Sequence, residues 1–521
     1  MLFYINMQLI LLLLILIFCF TVRAYPRVRL KYGIASDSFF HLKHAADIRS
    51  DHMQIFYELK NSVIKIVYSY PYLYHWLLAL FSERTRPWAE RFTGAFFDTL
   101  NVLIIYVFTR WYLLENHLNY PYLNLAVCFL YAVSPALLRF NGGPRSFNGS
   151  PRIMAQTLYL IHIFSFYHYS VTGNFISLIL SVCFAGWIAV GSTFGTQVLL
   201  FFAVIFSILF SWKYLLILVA AILFILVFSG GKVLRVLKGH FGHARFLAER
   251  IGQQSPYQSR TPVYINKMKE VVKSLLELKF KRAVPFFHDE NYPLHNFLFY
   301  YPSFFILLYT GYFETHKFLY ISVFAAVALY IFTSFKRFKF LGEPVRYLDY
   351  VIVPSYILTY IFLAEHHLTW IFYLFIGYSL LSMVYFLQQF YKLYFTINDD
   401  YPALQKCFNE LDNMEKGNLF AFNSNGHLSY FFTKQPIVNA LIGNLDVKLF
   451  SKEDSDLVIG NYPLPGNDFD AIIKRFDVKY IVMNKNELNT YTTRVLTDPT
   501  VFYKRTQPLF ETKTAMFFKV I

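Results

Sequence analysis

Residues 32–51, YGIASDSFFHLKHAADIRSD, bring an acid and two histidines together directly after the first hydrophobic segment of the chain. His41 follows Asp37 by four positions and precedes His44 by three, so a helix would place the three side chains on one face. An acid at this depth is costly unless it is solvated, paired or used. Asp37 is therefore either part of a solvated loop beside the membrane, or a general base or orienting carboxylate for a substrate at the membrane surface.

A metal site is a second chemistry that this spacing allows. Asp37 and His41 would be ligands of such a metal, or His41 would only orient the carboxylate. The spacing Asp-x-x-x-His is a weak metal signal by itself, and the four cysteines show neither a zinc spacing nor a disulfide framework. No cofactor is predicted with certainty, and a divalent metal stays an option.

Two further polar clusters, residues 140–158 (FNGGPRSFNGSPRIMAQTL) and 340–350 (FLGEPVRYLDY), also lie where apolar segments begin or end. Arg145, Arg152 and Arg346 are candidate phosphate ligands, because the forked donors of a guanidinium match phosphate oxygens. An arginine at a helix start, as expected for Arg152, opposes the helix dipole. This position therefore favours a bound anion or an acidic partner.

The cluster at 340–350 contains two more candidate site residues. Glu343 and Arg346 are three positions apart, so the simplest interpretation is an ion pair that fixes a helix start. The functional alternative is that Glu343 orients Arg346 or a substrate hydroxyl. Tyr347, the next residue, is a further candidate for substrate binding.

The composition is that of a membrane protein. The chain has 521 residues, of which 56% are hydrophobic and only 15% charged, and its mean hydropathy is +0.39. This balance excludes an ordinary soluble enzyme. The formal charge of +16 indicates contact with anionic lipid head groups. Nucleic acid is not an expected partner, because no nucleic-acid-binding module accompanies the charge.

A helix that crosses the bilayer needs about 20 apolar residues. The first apolar run is predicted to be a retained span and not a signal peptide, because it is long and no basic segment precedes it. Asp98 lies inside the second predicted span, where we expect it to pair with a neighbour. The eleven predicted spans are 3–22, 92–112, 121–139, 152–170, 174–191, 194–211, 213–230, 295–313, 317–335, 348–365 and 367–394.

The predicted fold is mainly α: a polytopic helix bundle over residues 1–394, followed by a small soluble α/β domain at 395–521. The long loop 23–91 contains an aromatic helix on the membrane surface at 67–82, broken by a proline. The basic segment 231–294 is either a helix pair lying on the bilayer or a lid over a lipid head group. In the C-terminal domain, NLFAFN, PIVNAL and KYIVMN are predicted strands.

Eleven spans and a cytoplasmic N-terminus would put every long polar segment, and the C-terminal domain, on the outer face. An enzyme that works at one membrane surface would have this arrangement. The placement conflicts with the rule that basic residues mark the cytoplasmic side. The basic residues that follow the first span are Arg23, Arg27, Arg29 and Lys31.

These segments resemble the GT-C-fold membrane glycosyltransferases of bacteria and archaea. The resemblance spans about residues 1–394 and rests on the order of its motifs, which are SDSFFHL, YSYPYLYHWLLALF, ERFTGAFFDTLNVLIIYVFTRW, GSPRIMAQTLYL and LGEPVRYLDYVIVP. It implies an inverting transfer of a hexose or pentose from a polyprenyl-phosphate or polyprenyl-pyrophosphate donor on the non-cytoplasmic face. Asp37 would act at the catalytic centre, and the acceptor would be a glycan, a lipid or a protein.

The chain departs from two branches of that family. It lacks a WWDxG sequence and a DxD in the expected loops, which argues against the catalytic subunit of protein N-glycosylation and against a required metal. It has Asp37–Ser38 where the protein O-mannosyltransferases have an Asp–Glu pair. The oligosaccharyltransferase-like relationship is therefore distant.

Two other functions fit the composition. The chain could be a transporter or flippase for lipid-linked or anionic solutes, although transporters are built from repeats and interrupted helices near the membrane midplane, and no repeat is evident. It could also be a membrane scaffold that presents the C-terminal domain. An assay of sugar transfer would distinguish an enzyme from the transporter and from the scaffold.

Overall fold

The structure is a computed structural model. It describes residues 2–30, 36–64, 69–138, 149–246, 248, 261–279, 301–309, 311–342, 344–438, 451–461 and 464–521.

The first helices of the chain place Asp37 just beyond an apolar helix. The leucine-rich N-terminal run forms α1, Leu2–Arg29. The next helix, α2, spans Ser36–Ser50 and carries Asp37 in its first turn, where the positive end of the helix dipole favours a carboxylate. A short helix, α3, Leu73–Ala79, lies within the predicted surface segment 67–82.

The bundle then continues as a series of helices separated by short turns. Three helices, Pro151–Thr172, Phe175–Gly191 and Thr193–Leu209, begin after the capping residues Ser150, Asn174 and Ser192. Each capping side chain accepts a hydrogen bond from a backbone N–H of the first turn. The helices are α4 (Arg86–Glu115), α5 (Leu123–Val133), α6 (Pro135–Leu138), α7 (Pro151–Thr172), α8 (Phe175–Gly191), α9 (Thr193–Leu209), α10 (Lys213–Phe228), α11 (Lys232–Phe246), α12 (Thr261–Leu276), α13 (Gly311–Thr315), α14 (Lys317–Ser334), α15 (Val345–Leu348), α16 (Ile352–Glu365) and α17 (Thr369–Asp412).

Within the described ranges, five helices are long and apolar enough to cross a bilayer. A sixth is possible only if α10 and α11, which are bent by 117°, form one broken span. The helical membrane bundle is confirmed, and the count of eleven spans is not. Some predicted spans are interrupted: Ser134 separates α5 from α6, and the described part of 295–313 is a 3-10 helix, Pro302–Leu308, followed by α13.

Two glycines produce the sharp bend after α10. Gly230 and Gly231 have φ values of 56° and 79°, a left-handed conformation that glycine adopts without steric cost. The helix that follows, α11, is basic, and it exposes Leu234 and Phe241 seven positions apart on one face. This pattern is typical of a helix that lies on a membrane surface.

Two buried ion pairs join α1 to α4 beside the segment that carries Asp37. Arg23 Nε lies 3.0 Å from Asp98 Oδ2, and both side chains are fully buried. The Tyr131 hydroxyl donates to the other carboxylate oxygen at 3.0 Å, so the predicted pairing of Asp98 is confirmed. The second pair joins Arg27 Nη2 to Glu90 Oε2 at 2.7 Å.

The C-terminal part forms a small four-stranded mixed sheet covered by short helices. The 44-residue helix α17 leads into it without a break, and the predicted boundary between 394 and 395 falls inside this helix. The remaining elements are β1 (Asn418–Ala421), α18 (Asn423–Phe432), α19 (Lys452–Ile459), α20 (Phe469–Phe476), β2 (Val478–Asn484), α21 (Lys485–Thr490), a π-helical turn (Tyr491–Val495), α22 (Pro499–Arg505), β3 (Thr506–Glu511) and β4 (Ala515–Val520).

The strand order is β1-β2-β4-β3. The β1–β2 pair is parallel, and the other two pairs are antiparallel. NLFAFN and KYIVMN supply β1 and β2 as predicted. The third predicted strand, PIVNAL, contributes only the isolated bridges of Ile437 among its described residues, and positions 439–450 lie outside the described part.

Candidate active site

A cavity of about 250 Å³ lies where α2 meets the ends of several other helices. Four predicted site residues line it: Asp37 and His41 from α2, Arg152 from the start of α7, and Arg346 from α15. These residues are up to about three hundred positions apart in the chain, so only the packing of the bundle brings them together. Residues from the predicted clusters around 37, 152 and 346 therefore line one cavity.

Asp37 is the exposed acid of this cavity. Its carboxylate makes no hydrogen bond or ion pair with any residue in the described ranges. A carboxylate that accepts no hydrogen bond from the protein keeps its lone pairs for a ligand. Asp37 is therefore available to accept a proton or a hydrogen bond from a bound molecule.

Two half-buried arginines give the cavity a cationic side. Pro151 and Arg152 are the first residues of α7, and the backbone N–H of Arg152 donates to the capping Ser150 hydroxyl at 3.2 Å. The guanidinium of Arg346 lies over the ring of Phe194, with its central carbon 4.4 Å from the ring centroid. This contact fixes the plane of the guanidinium. Both cations are held at helix starts in a cavity that also contains Asp37.

Tyr70 also lines this cavity, and it is not among the candidate site residues predicted from the sequence. Burial raises the pKa of Tyr70 to about 12, and the charge of Asp37 adds to this effect, whereas Arg152 and Arg346 oppose it. The phenol is therefore a neutral donor near the carboxylate and both arginines. The sequence signal was present, because Tyr70 lies in the tyrosine-rich YSYPYLYHW, but that stretch predicts only a membrane-surface helix.

His41 lines the cavity, yet it already has a protein partner. Its Nδ1 shares a hydrogen bond with His75 Nε2 at 2.8 Å. Burial, together with the neighbouring His75 and His427, holds the pKa of His41 well below its usual value. No group of three or more His, Cys, Asp or Glu side chains is arranged to hold a metal ion among the described residues. The optional metal of Asp37 and His41 has no third ligand there.

Of the other predicted site residues, only Tyr347 lies in the described part of the chain. Tyr347 is fully buried behind the cavity wall, and its hydroxyl donates to Gln197 Oε1 and to the Leu341 carbonyl, both at 3.0 Å. Gln197 itself lines the cavity, so Tyr347 acts on it indirectly. Arg145 and Glu343 lie outside the described residues, and so does the predicted Glu343–Arg346 pair.

Glu90 links the segments that carry the acid and one of the arginines. One of its oxygens accepts from Arg27 Nη2 at 2.7 Å, and the other accepts from the Gly149 backbone N–H at 3.2 Å. Arg27 also reaches the Ser38 hydroxyl at 3.4 Å. Ser38 follows Asp37, and Gly149 precedes the cap of α7, so this buried network fixes two parts of the site relative to each other.

Sequence comparison gives no relatives: no family model matches the chain, and no curated protein matches it. Solved structures do match. The archaeal oligosaccharyltransferase AglB from Archaeoglobus fulgidus, in complex with an inhibitory peptide and a dolichol-phosphate, aligns with TM-score 0.52 and 12% identity over 96% of this chain and 72% of that one. The same organism's oligosaccharyltransferase in complex with Zn and sulfate aligns with TM-score 0.50 and 12% identity, covering 98% and 73%.

ArnT from Cupriavidus metallidurans, bound to undecaprenyl phosphate, aligns with TM-score 0.52 and 9% identity over 98% of both chains. Such identities establish a shared fold and not a shared activity. The chain has the GT-C fold, as the resemblance implied.

Proposed function

We propose that this GT-C-fold chain is an integral membrane glycosyltransferase that moves a sugar from a polyprenyl-phosphate or polyprenyl-pyrophosphate donor to an acceptor on the non-cytoplasmic face. The observation that carries the proposal is one cavity in which an exposed carboxylate, Asp37, shares the space with two arginines, Arg152 and Arg346. A base and a cationic phosphate site are the two groups that this displacement needs.

The arginines would hold the leaving phosphate. As the bond between the anomeric carbon and the phosphate oxygen breaks, the bonding electrons pass to the phosphate, and its negative charge grows. Arg152 and Arg346 would stabilise that charge through forked hydrogen bonds. Tyr70, which is neutral at physiological pH, would donate a further hydrogen bond. Arg145 remains a predicted third cation, and Glu343 a predicted partner of Arg346.

Asp37 would act on the acceptor. It takes the acceptor's proton while the acceptor oxygen or nitrogen attacks the anomeric carbon from the face opposite the phosphate, which inverts the configuration. The polyprenyl phosphate then leaves. His41 and Tyr347 would support the site indirectly, His41 through His75 and Tyr347 through Gln197. If the reaction uses a divalent metal, Asp37 and His41 are its candidate ligands.

The lipid part of the donor fits an apolar bundle. The helices near the cavity expose large apolar side chains, among them Leu200, Val204 and Ile208 of α9. A polyprenyl chain would lie against such surfaces within the bilayer. The dolichol-phosphate in AglB and the undecaprenyl phosphate in ArnT support a donor of this class, because both proteins share the fold.

The proposed orientation conflicts with the basic residues that follow the first apolar run. Arg23 and Arg27 are paired with Asp98 and Glu90 inside the protein, but the rule counts Lys and Arg and gives acidic residues little weight. To test the orientation, an impermeant maleimide would be applied to intact cells carrying Glu83→Cys, at an exposed position of the first loop. Labelling from outside supports the proposal, and labelling only after lysis reverses it.

The test of the function is sugar transfer by purified protein from a polyprenyl-linked donor pool. Wild type is compared with Asp37→Asn and with Asp51→Asn, a matched change in the turn directly after α2. We expect transfer by wild type and Asp51→Asn, and a loss of at least about a hundredfold in Asp37→Asn. Equal transfer by all three proteins would remove Asp37 from the mechanism. No transfer with any donor would favour a transporter or flippase.

A further inference from the structure

The C-terminal domain contributes a side chain to the cavity. His427 lies on α18 and lines the cavity together with Asp37, although the two residues are nearly four hundred positions apart. Its imidazole packs on Phe40, with ring centroids 4.7 Å apart. Phe40 belongs to α2, the helix that carries Asp37. The placement of His427 therefore depends on how α18 docks on α2.

The contact between α18 and α2 is extensive and specific. The Tyr430 hydroxyl donates to Asp47 Oδ2 at 2.8 Å, and Lys43 Nζ lies 5.1 Å from the centroid of the Tyr430 ring. Phe39 packs against Phe431 and Phe432, with both pairs of ring centroids 5.1 Å apart. A buried aromatic and polar interface of this kind holds α18 in one position relative to α2.

His427 differs from the other histidines of the region. His41 bonds His75, and His44 bonds the Tyr57 hydroxyl. The Nδ1 of His427 is buried, and no hydrogen-bond partner for it lies among the described residues. Burial lowers the pKa of His427 below its usual value, and the negative charge of Asp37 opposes this effect. The result is a neutral imidazole, without a protein partner in the described part, beside the proposed base.

We propose that His427 is a positioning residue for Asp37: an imidazole N–H donates to one carboxylate oxygen in the substrate complex, which leaves the other oxygen to receive the acceptor's proton. This inference rests on the proposed transfer function. It makes the C-terminal domain part of the active site, because the donor comes from α18.

The chemistry of the two groups supports this role. A carboxylate offers about four lone-pair positions, so a donor on one oxygen does not block the other. A neutral imidazole carries one N–H and leaves the carboxylate charged, which a base requires. Hydrogen bonds of catalytic groups are often long without substrate and tighten in the complex. The exposed Asp37 therefore has room to turn toward His427 when an acceptor binds.

The test compares three variants at matched expression and Tm. His427→Phe keeps an aromatic ring against Phe40 and removes both nitrogens, whereas His427→Gln keeps a side-chain N–H. Tyr430→Phe is the matched control, because it weakens the same helix contact through Asp47 without touching the cavity. Each protein is assayed for kcat and for KM of the polyprenyl-linked donor, after wild type has been shown to transfer sugar and Asp37→Asn has been shown not to.

We expect His427→Phe to lower kcat on the order of ten- to a hundredfold, with the donor KM changed less than about twofold. His427→Gln should recover most of the lost kcat, and Tyr430→Phe should keep the wild-type kcat. Equal kcat for wild type and His427→Phe overturns the positioning role and leaves the transfer function intact. An equal loss in all three variants shows that α18 acts only by docking. Absence of transfer by wild type refutes the function and this inference together.

Discussion

Arg27 and Glu90 form an ion pair of 2.7 Å whose side chains are almost completely buried, with 3% and 1% of their surface exposed. The pair joins α1 to α4 beneath the candidate site. Through Ser38 it supports the start of α2, and through Gly149 it supports the segment before α7. The relative position of Asp37 and Arg152 therefore depends on the Glu90 carboxylate.

Removing that carboxylate should damage stability and activity together. Glu90→Gln leaves the buried Arg27 without its counter-charge, and breaking a buried pair costs about 3–5 kcal/mol. We expect a clear drop in Tm in detergent and a lower kcat. The control is Glu410→Gln, which removes an exposed pair with Lys406 at 3.8 Å and should change stability by less than about 0.5 kcal/mol. Equal Tm values for the two variants would contradict the role of Glu90.

The space around Gly149 gives a second test of the same network. A Cβ on Gly149 would clash with the Tyr74 hydroxyl and the Glu90 carbonyl. We expect Gly149→Ala to cost about 1–3 kcal/mol, the range for overpacking a dense site. At Gly377, a Cβ would meet nothing within 4 Å, so Gly377→Ala should leave Tm unchanged or raise it. The measurement is the Tm of both variants in the same detergent. An unchanged Tm for Gly149→Ala would refute the close packing around Gly149.

Activity should depend on the shape of the side chains at positions 152 and 346 as well as on their charge. Arg152→Lys and Arg346→Lys keep a cation but lose the forked donor, and at position 346 the stacking on Phe194 is also lost. We expect kcat/KM for the polyprenyl-linked donor to fall about a hundred- to a thousandfold in the alanine variants, as when a transition-state donor is removed. The lysine variants should recover only part of this. Arg84→Ala, in an exposed turn, is the control.

If lysine restored full activity at both positions, a positive charge alone would be sufficient. The proposed forked hydrogen bonds from the two arginines to the phosphate would then be wrong. If the alanine variants kept their activity, neither arginine would contact the leaving group.

The histidines around α2 predict how stability depends on pH. Burial lowers the pKa of His75 to about 3, and it also lowers those of His41 and His44. An unfolded histidine titrates near pH 6.5. Below that pH the unfolded chain binds more protons than the folded chain, so stability falls as the pH drops. The slope is about 1.4 kcal/mol per pH unit for each histidine that stays neutral.

We therefore expect Tm to decrease between pH 7.5 and pH 5. His75→Gln should start from a lower Tm at pH 7.5 and lose less on acidification, because one neutral imidazole is gone. Parallel Tm curves for wild type and variant would show that His75 does not contribute to the slope.

The sequence predicted several residues of this candidate site because they lie in local patterns. Asp37, Arg152 and Arg346 each stand where an apolar segment meets polar chain, and such positions combine a fixed backbone with access to water. The pairing of Asp98 was also predictable, because an acid within a span needs a partner. The structure adds that the three segments share one cavity.

Two further residues near the cavity were not predicted, because their positions depend on tertiary packing and not on a local sequence pattern. His427 comes from a small helix of the C-terminal domain, and Glu90 looks like an ordinary polar residue before a span. The count of eleven spans is not confirmed, and one reason is physical: several predicted apolar runs form helices of fewer than 18 residues, such as Phe175–Gly191 and Thr193–Leu209, and Ser134 separates α5 from α6.

The proposed reaction breaks the bond between a sugar and a polyprenyl phosphate. The most direct measurement is the stoichiometry in proteoliposomes that contain a labelled polyprenyl-phosphate-sugar and an acceptor pool. We expect one free polyprenyl phosphate for each sugar transferred, and neither product with Asp37→Asn. Movement of the intact lipid-linked sugar between leaflets, with no release of polyprenyl phosphate, would refute sugar transfer and indicate a flippase.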